Sequence, residues 1–143
     1  MLFCINHNDR KIREQINTIV GKPYGFWERI KLSGIGSGRL SVHGFSENLT
    51  HYFGKTLDRK FVSIELRPKG ILVYIKNAVN DYVWVIPYYK LVIYQTETVT
   101  FYADNYRIQL ERASIFPKKS AFLDRILAAK LAYYQQYDSP LSA

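Results

Sequence analysis

Between residues 39 and 112, apolar and polar side chains alternate along a series of short segments, and this alternation constrains the fold more than any other feature of the sequence. Successive side chains of a strand point to opposite faces of a sheet, so a period of two is typical of strands with one buried face. In the clearest case, two such segments flank Asp104-Asn105, a pair that tolerates the backbone angles of a two-residue hairpin turn. The pattern predicts about seven strands, at residues 39–45, 61–67, 71–76, 82–86, 89–94, 98–103 and 106–111.

Two segments outside this region have the helical period instead. Residues 9–20 place Ile12, Ile16 and Ile19 on one stripe of a helix, and residues 117–136 carry a broad apolar face. A helix of about three turns is marginal by itself in water, so the first helix must dock on another surface. The second helix can cover the apolar face that a sheet of this kind exposes.

The segment between the first helix and the first strand is rich in glycine and aromatic residues. Phe26, Trp27 and Ile30 predict either a short second helix or an irregular aromatic plug, and the glycines of GIGSG (34–38) predict a flexible joint. GIGSG lacks the Gly-Lys-Ser/Thr ending and the following helix of a phosphate-binding loop. We therefore divide the chain into an N-terminal helical extension (1–38), a domain of strands with one helix (39–137) and a flexible tail (138–143).

The composition of the 143 residues is that of one folded domain. A hydrophobic fraction of 48% is too high for intrinsic disorder, and a chain of this length can bury a substantial core. The one cysteine, Cys4, has no partner for a disulfide, and three scattered histidines do not form a zinc motif. No sequence pattern places a nucleophile beside a base. We therefore expect neither catalytic activity nor a metal or cofactor.

No segment of the sequence is typical of secretion or of membrane insertion. The apolar run from Met1 to Ile5 is too short for a signal peptide, and no window approaches the roughly 18 apolar residues that span a bilayer. From these features we expect a cytoplasmic protein without a transmembrane segment. A peripheral contact with a membrane is compatible with them.

Three segments and the last helix carry a resemblance to a known family. GILVYI (70–75), DYVWVIPYYKLVIY (81–94), VTFYADNYRIQLE (99–111) and the helix from Pro117 to Gln136 resemble the pleckstrin-homology-like fold, which includes the GRAM and bacterial PH-type domains. VWVIPYYKLVIY is similar to the strand, Ile-Pro, strand element of those members. The resemblance covers about residues 39–136 and implies an α+β, mainly β fold: a bent antiparallel barrel with the helix plugging one end.

Positive charge is concentrated in the first half of the chain. Residues 1–76 contain 13 Lys or Arg and 6 Asp or Glu, whereas residues 77–143 contain 7 and 6. Such a cluster attracts the phosphates of nucleic acids or acidic lipids, although the same charges also keep a protein soluble. The candidate anion-binding residues are Lys55, Arg59, Lys60, Arg67 and Lys69. The resemblance implies a head-group site in the loop that holds the first three of them.

Apolar and tyrosine residues on the two helices indicate a contact with another protein. The candidates are Ile12, Ile16, Ile19, Tyr133, Tyr134 and Tyr137. We expect first a non-catalytic interaction module that binds a protein partner or self-associates, with its first helix docked on that partner or on its own barrel. The alternative is a binder of nucleic acid or acidic lipid head groups. A hollow-barrel carrier comes third, because the bulky Trp84 and Phe101 predict a filled interior.

Overall fold

Strands and helices of the chain are defined by a computed structural model, which describes residues 1–7, 9–32, 34–55 and 58–138, and only the backbone of residues 137 and 138. Its strands are β1 (Leu2–Cys4), β2 (Leu40–Phe45), β3 (Phe61–Arg67), β4 (Gly70–Lys76), β5 (Asp81–Pro87), β6 (Val92–Gln95), β7 (Thr98–Ala103) and β8 (Tyr106–Glu111). Its helices are α1 (Arg10–Val20), α2 (Phe26–Lys31), α3 (Thr50–Phe53), α4 (Arg112–Ile115) and α5 (Ser120–Asp138), with a 3₁₀ turn at Glu47–Leu49. The fold is therefore α+β and dominated by strands.

The strands form one antiparallel sheet in the order β1-β5-β4-β3-β2-β8-β7-β6. Strands β2 to β5 form one meander and strands β6 to β8 form another. Strand β2 joins them, because its first residues pair with β3 and its later residues pair with β8. The register of β2 shifts between Val42 and Gly44, where the strand passes from one partner to the other. A register irregularity of this kind bends a strand and increases its twist.

The structure corrects the expectation of a seven-stranded barrel. An eighth strand, β1, pairs with β5 and lies in the segment that the sequence pattern described as helical. Strands β1 and β6 are the two edges of the sheet, so the sheet is not closed. The predicted strand at 89–94 begins later, at Val92, because a turn follows Pro87, whose carbonyl oxygen accepts a hydrogen bond from the Lys90 backbone.

Both predicted helices are present. Local interactions determine the residues at which α1 begins and ends. The Asp9 side chain caps α1 by accepting a hydrogen bond from the Lys11 backbone at 2.8 Å, and α1 stops at Gly21, whose φ of 87° suits glycine. The helix predicted over 117–136 is α5, which begins three residues later than expected. Residues 26–31 form a short helix, not a buried plug. Of the predicted tail (138–143), Asp138 is the last residue of α5, and residues 139–143 lie outside the described residues.

Side chains from both meanders meet in one core. Leu40 and Ile64 of the first meander, Phe101 and Ile108 of the second, and Phe122 of α5 belong to the same cluster of buried residues. Because the two halves share this cluster, the sheet folds over on itself around it. Helix α5 contributes further buried residues, Leu123 and Ile126, and so covers the apolar interior as the alternation predicts.

Helix α1 covers part of the opposite face of the same sheet. Ile16 and Val20 are buried in a second cluster with Leu72, Val83 and Val85, the residues of β4 and β5 that point away from the main core. Burial on both faces explains why β4 and β5 read as nearly continuous apolar runs. The docking surface that a short helix requires is therefore the chain's own sheet.

The glycine-rich segment that was predicted to be a flexible joint is hydrogen-bonded along β3. The Ser37 backbone N–H donates to the Ile64 carbonyl at 2.9 Å, and the Leu66 N–H donates to the Ile35 carbonyl at 2.7 Å. The Ser37 hydroxyl also accepts a hydrogen bond from the Ile64 N–H. Gly36 forms an antiparallel bridge with Glu65. Residues 35–37 therefore continue along β3 the antiparallel pairing that β2 makes with its first residues.

A substitution at Gly70, the first residue of β4, tests the contact between the sheet and α1. A Cβ at this position would lie 2.2 Å from the Ile86 carbonyl oxygen and 2.6 Å from a methyl group of Val20. Because a strand backbone cannot yield to such a clash, Gly70→Ala should lower the free energy of unfolding by about 3 kcal/mol. Urea denaturation measures this change.

Gly36→Ala is the matched control, since no atom lies within 4 Å of the Cβ that would be added there. We expect its effect to stay within about 1 kcal/mol in either direction. Equal losses in the two variants would contradict the described packing of β4 against β5 and α1.

Candidate anion-binding groove

The five predicted anion-binding residues lie at two ends of one strand. Lys55, Arg59 and Lys60 precede β3, whereas Arg67 ends it and Lys69 lies in the following turn. A strand of seven residues is about 20 Å long, so the two groups cannot hold one small ligand together. The structure places Arg59 and Lys60 in the lining of a groove, places Lys55 beside a separate hollow, and leaves Lys69 exposed at the far end.

Arg67 is used inside the fold. Its side chain is only 9% exposed, and its guanidinium donates to Glu65 Oε2 at 2.7 Å, to Asn17 Oδ1 at 3.0 Å and to the Gly21 carbonyl at 2.9 Å. The two last acceptors belong to α1 and its end. Arg67 therefore ties α1 to the sheet, and its Nε and Nη1 donors are used by acceptors of the chain itself. The charge pattern alone does not distinguish this buried arginine from an exposed one.

An open groove with a volume of about 990 Å³ lies at the other end of the sheet. One wall is formed by α3 and residues 58–60, the other by the hairpin between β4 and β5, and β3 with β4 forms the floor. Its charged lining comprises four cations, Arg39, Arg59, Lys60 and Lys76, and two carboxylates, Asp58 and Asp81. The groove thus has a positive excess. Lys55 lines a separate, smaller hollow of about 320 Å³ beside β2.

Two arginines are positioned over one aromatic ring at the groove. The guanidinium carbon of Arg39 lies 3.9 Å from the centroid of the Phe61 ring, and that of Arg59 lies 5.5 Å from it. The Arg59 side chain donates to the Ser41 hydroxyl at 2.8 Å and approaches Glu111 Oε2 at 3.4 Å. Stacking on an aromatic face fixes a guanidinium while leaving its N–H donors available at the ring edge.

The opposite wall is held in place by Asn77. Its side-chain oxygen accepts hydrogen bonds from the backbone N–H groups of Val79 and Asn80 at 2.8 Å, which closes the hairpin turn. Its side-chain nitrogen donates to the Tyr52 carbonyl at 2.9 Å, which joins the hairpin to α3. Both walls of the groove are therefore connected before any ligand binds.

Tyr74 lines the groove as a neutral hydroxyl. Burial, and after it the nearby Glu65 carboxylate, raise the pKa of Tyr74 to about 12. The phenol therefore keeps its proton at neutral pH and adds no negative charge to the groove. Its hydroxyl lies 3.4 Å from Glu65 Oε1.

Sequence reasoning missed Arg39 and Lys76 as groove residues. The two residues are 37 positions apart in the sequence. Arg39 precedes β2 and Lys76 ends β4, and both of these strands pair with β3, so the register brings the two residues close together. Lys76 is opposite Asp81 and follows Ile75, the partner of Val62. The one available signal was that each occupies a polar position at a strand end.

The predicted protein-contact residues are largely covered within the chain. Ile16 is buried, and Ile12 and Ile19 pack partly buried against the same cluster on β4 and β5. Tyr133 is half-buried, with its ring centroid 6.0 Å from that of Tyr88. Tyr134 is 39% exposed, and the Tyr137 side chain lies outside the described residues. The stripe on α1 thus binds the chain's own sheet, which was one of the two expected dockings.

Comparison of the chain with protein-family models, with curated proteins and with solved structures gives no match. Within the described ranges, no three His, Cys, Asp or Glu side chains are grouped so that they could hold a metal ion. No helix in the part of the chain that the structure covers has the length and apolar character needed to cross a bilayer. The geometry of the groove and of the exposed surface is therefore what indicates a function for this chain.

Replacing Arg67 tests its structural role. Arg67→Met removes the three hydrogen bonds and leaves the Glu65 carboxylate, which is 24% exposed, without its partner. Because breaking such a pair leaves a poorly solvated charge, the free energy of unfolding should fall by about 3 kcal/mol in urea denaturation.

The control is Lys69→Met, at an exposed position two residues away. It should change the free energy of unfolding by less than about 0.5 kcal/mol. A stable Arg67→Met protein would show that the guanidinium does not tie α1 to the sheet.

Proposed function

We propose that the protein is a non-catalytic binding module of the pleckstrin-homology-like type, and that its groove holds a phosphate-bearing anion. The observation that carries this proposal is the convergence of Arg39, Arg59, Lys60 and Lys76 on one pre-formed groove. Guanidinium and ammonium groups form strong, charge-assisted hydrogen bonds with phosphate oxygens. The contact of Arg39 with an aromatic ring and the hydrogen bond from Asn77 to the backbone already restrain these side chains, which reduces the conformational entropy lost on binding.

The topology supports the family assignment in this proposal. The resemblance implies hairpin-linked strands bent around a core and plugged at one end by the last helix. Strands β2 to β8 have this connectivity, with a meander of four strands, a meander of three and α5 against the shared core. Strand β1, α1 and α2 are additions to it. The groove lies beside the connection between β2 and β3, where the resemblance implies a head-group site.

An anionic ligand is the partner that the open surface of the groove favours. The stripe of Ile12, Ile16 and Ile19 was expected to dock on a partner or on the chain's own barrel, and the chain's own sheet occupies it. The groove remains open and carries a net positive charge. An anionic ligand is therefore the occupant that this surface fits best.

The double variant Arg39→Glu with Lys76→Glu tests the groove. Both side chains are exposed, so the fold should be retained, as circular dichroism can verify. Each charge-assisted contact contributes about 1.5 kcal/mol, so loss of two should weaken binding about 100-fold. Isothermal titration calorimetry at low salt can use three probes: inositol hexakisphosphate, a single-stranded oligonucleotide, and vesicles that contain an inositol phospholipid.

The three probes distinguish the sources of the phosphate. Inositol hexakisphosphate represents a free anion, the oligonucleotide represents a nucleic acid, and the vesicles represent a lipid head group. Lys69→Glu is the matched control, because it reverses a charge at the opposite end of β3 and should leave binding within about threefold of the wild-type value. If no probe binds the wild type, or if the double variant binds as tightly as the control, the groove is not an anion site.

A further inference from the structure

We propose that α2 is a surface anchor that inserts its aromatic side chains into an anionic lipid bilayer. This inference concerns a second surface and does not depend on the groove. It is based on three observations: the exposure of the apolar side chains of α2, the two backbone tethers that hold α2 in place, and the positive charge around it.

The apolar side chains of α2 are almost fully exposed. Phe26 is 69% exposed, Trp27 is 74% exposed and Ile30 is 56% exposed, and no residue of α2 is buried. The Phe26 and Trp27 rings contact each other edge to face, with centroids 5.3 Å apart. In water these side chains gain nothing from exposure, so an apolar environment outside the chain would stabilise them.

The chain segments on either side of α2 are hydrogen-bonded to the sheet, six residues before the helix and four residues after it. Before it, the Lys69 backbone N–H donates to the Val20 carbonyl at 2.8 Å, and after it, the Leu66 N–H donates to the Ile35 carbonyl. Between these points, Arg29 donates to the Tyr24 carbonyl at 3.0 Å, and Tyr24 packs against the main core. The aromatic side chains therefore project from a fixed site at the Leu66 end of β3.

The charges around α2 select an anionic partner. Residues 22–31 contain three cations, Lys22, Arg29 and Lys31, and one carboxylate, Glu28. The groove is also positive, so a second copy of this chain cannot receive α2 there without bringing like charges together. An anionic bilayer attracts each basic residue near its surface and accepts Trp and Phe at the level of its head groups.

The size of the apolar surface favours a bilayer over a protein partner. Phe26 is 69% exposed and Trp27 is 74% exposed, and an aromatic residue buries about 150–250 Å², so the two rings together offer roughly 200–360 Å². A stable protein interface needs roughly 800 Å² from each partner. Binding at a membrane surface requires only a small inserted apolar area together with electrostatic attraction.

The location of α2 keeps this surface separate from the groove. Its tethers are at Leu66 and Lys69, whereas the groove is lined by Phe61 and Lys76, five or six strand residues away. That separation is about 17–20 Å along the strands. A bilayer that receives Trp27 therefore leaves the groove free for its own ligand.

Tryptophan fluorescence of the full chain provides a direct test. The protein has two tryptophans, and Trp84 is fully buried whereas Trp27 is exposed. Adding vesicles of phosphatidylcholine and phosphatidylserine should shift the emission of Trp27 to shorter wavelength, and brominated lipid should quench it. Vesicles of phosphatidylcholine alone should produce a much smaller shift, and salt should weaken binding to the anionic vesicles.

Sedimentation with the same anionic vesicles tests the side chains. The double variant Phe26→Ala with Trp27→Ala should lose at least tenfold in vesicle affinity, whereas Leu131→Ala, which removes an exposed apolar side chain from α5, should not change it. Arg39→Glu with Lys76→Glu should keep the Trp27 shift, which separates this proposal from that of the groove.

The proposal is wrong if anionic vesicles leave the Trp27 emission unchanged at low salt, or if the α2 double variant binds vesicles as tightly as the wild type. It is also wrong if sedimentation velocity shows that the α2 variant loses self-association while its vesicle binding is unaffected. In that case α2 would be a contact between protein chains.

Discussion

Strand β2 holds the two halves of the molecule together. Its first residues pair with β3 and its later residues with β8, a strand far away in the sequence, so that the two successive meanders enclose one core. The placement of the groove follows from this pairing, because it brings Arg39, at the start of β2, onto the Phe61 ring of β3. The two proposed surfaces depend on the same frame, since β3 carries the groove at one end and the tethers of α2 at the other.

Strands such as β3 and β8 could be predicted from alternation because one face of each is buried in the core, whereas β4 and β5 are buried on both faces and appear as apolar runs. The hairpin at Asp104-Asn105 is an example, with both residues at positive φ as the turn requires. Strand β1 could not be found in this way, since three residues are too few to show a period and its partner β5 is about 80 residues away. The glycines of residues 34–38 predicted a joint because local composition does not reveal a hydrogen-bonded neighbour such as Ile64.

The candidate sites show the same limit. Charge density along the chain identified Arg59 and Lys60 but could not show that Arg67 is buried against Asn17 and Glu65. It also missed Arg39 and Lys76, which reach the groove only through strand register. Apolar periodicity predicted that α1 packs on another surface, and α1 does pack on the sheet. The exposure of Phe26 and Trp27 could not be predicted in this way, because it depends on which described residues pack around them.

A map of amide chemical shifts by NMR during titration with inositol hexakisphosphate shows directly whether an anion binds in the groove. Our account predicts saturable changes concentrated around Arg39, Phe61, Lys76 and Asn77, with little change near Lys69. Changes of similar size at basic residues all over the surface, or a set centred on the Lys69 end of β3, would contradict it. Such a result would show that the positive charge acts only as a diffuse field and that the groove holds no ligand.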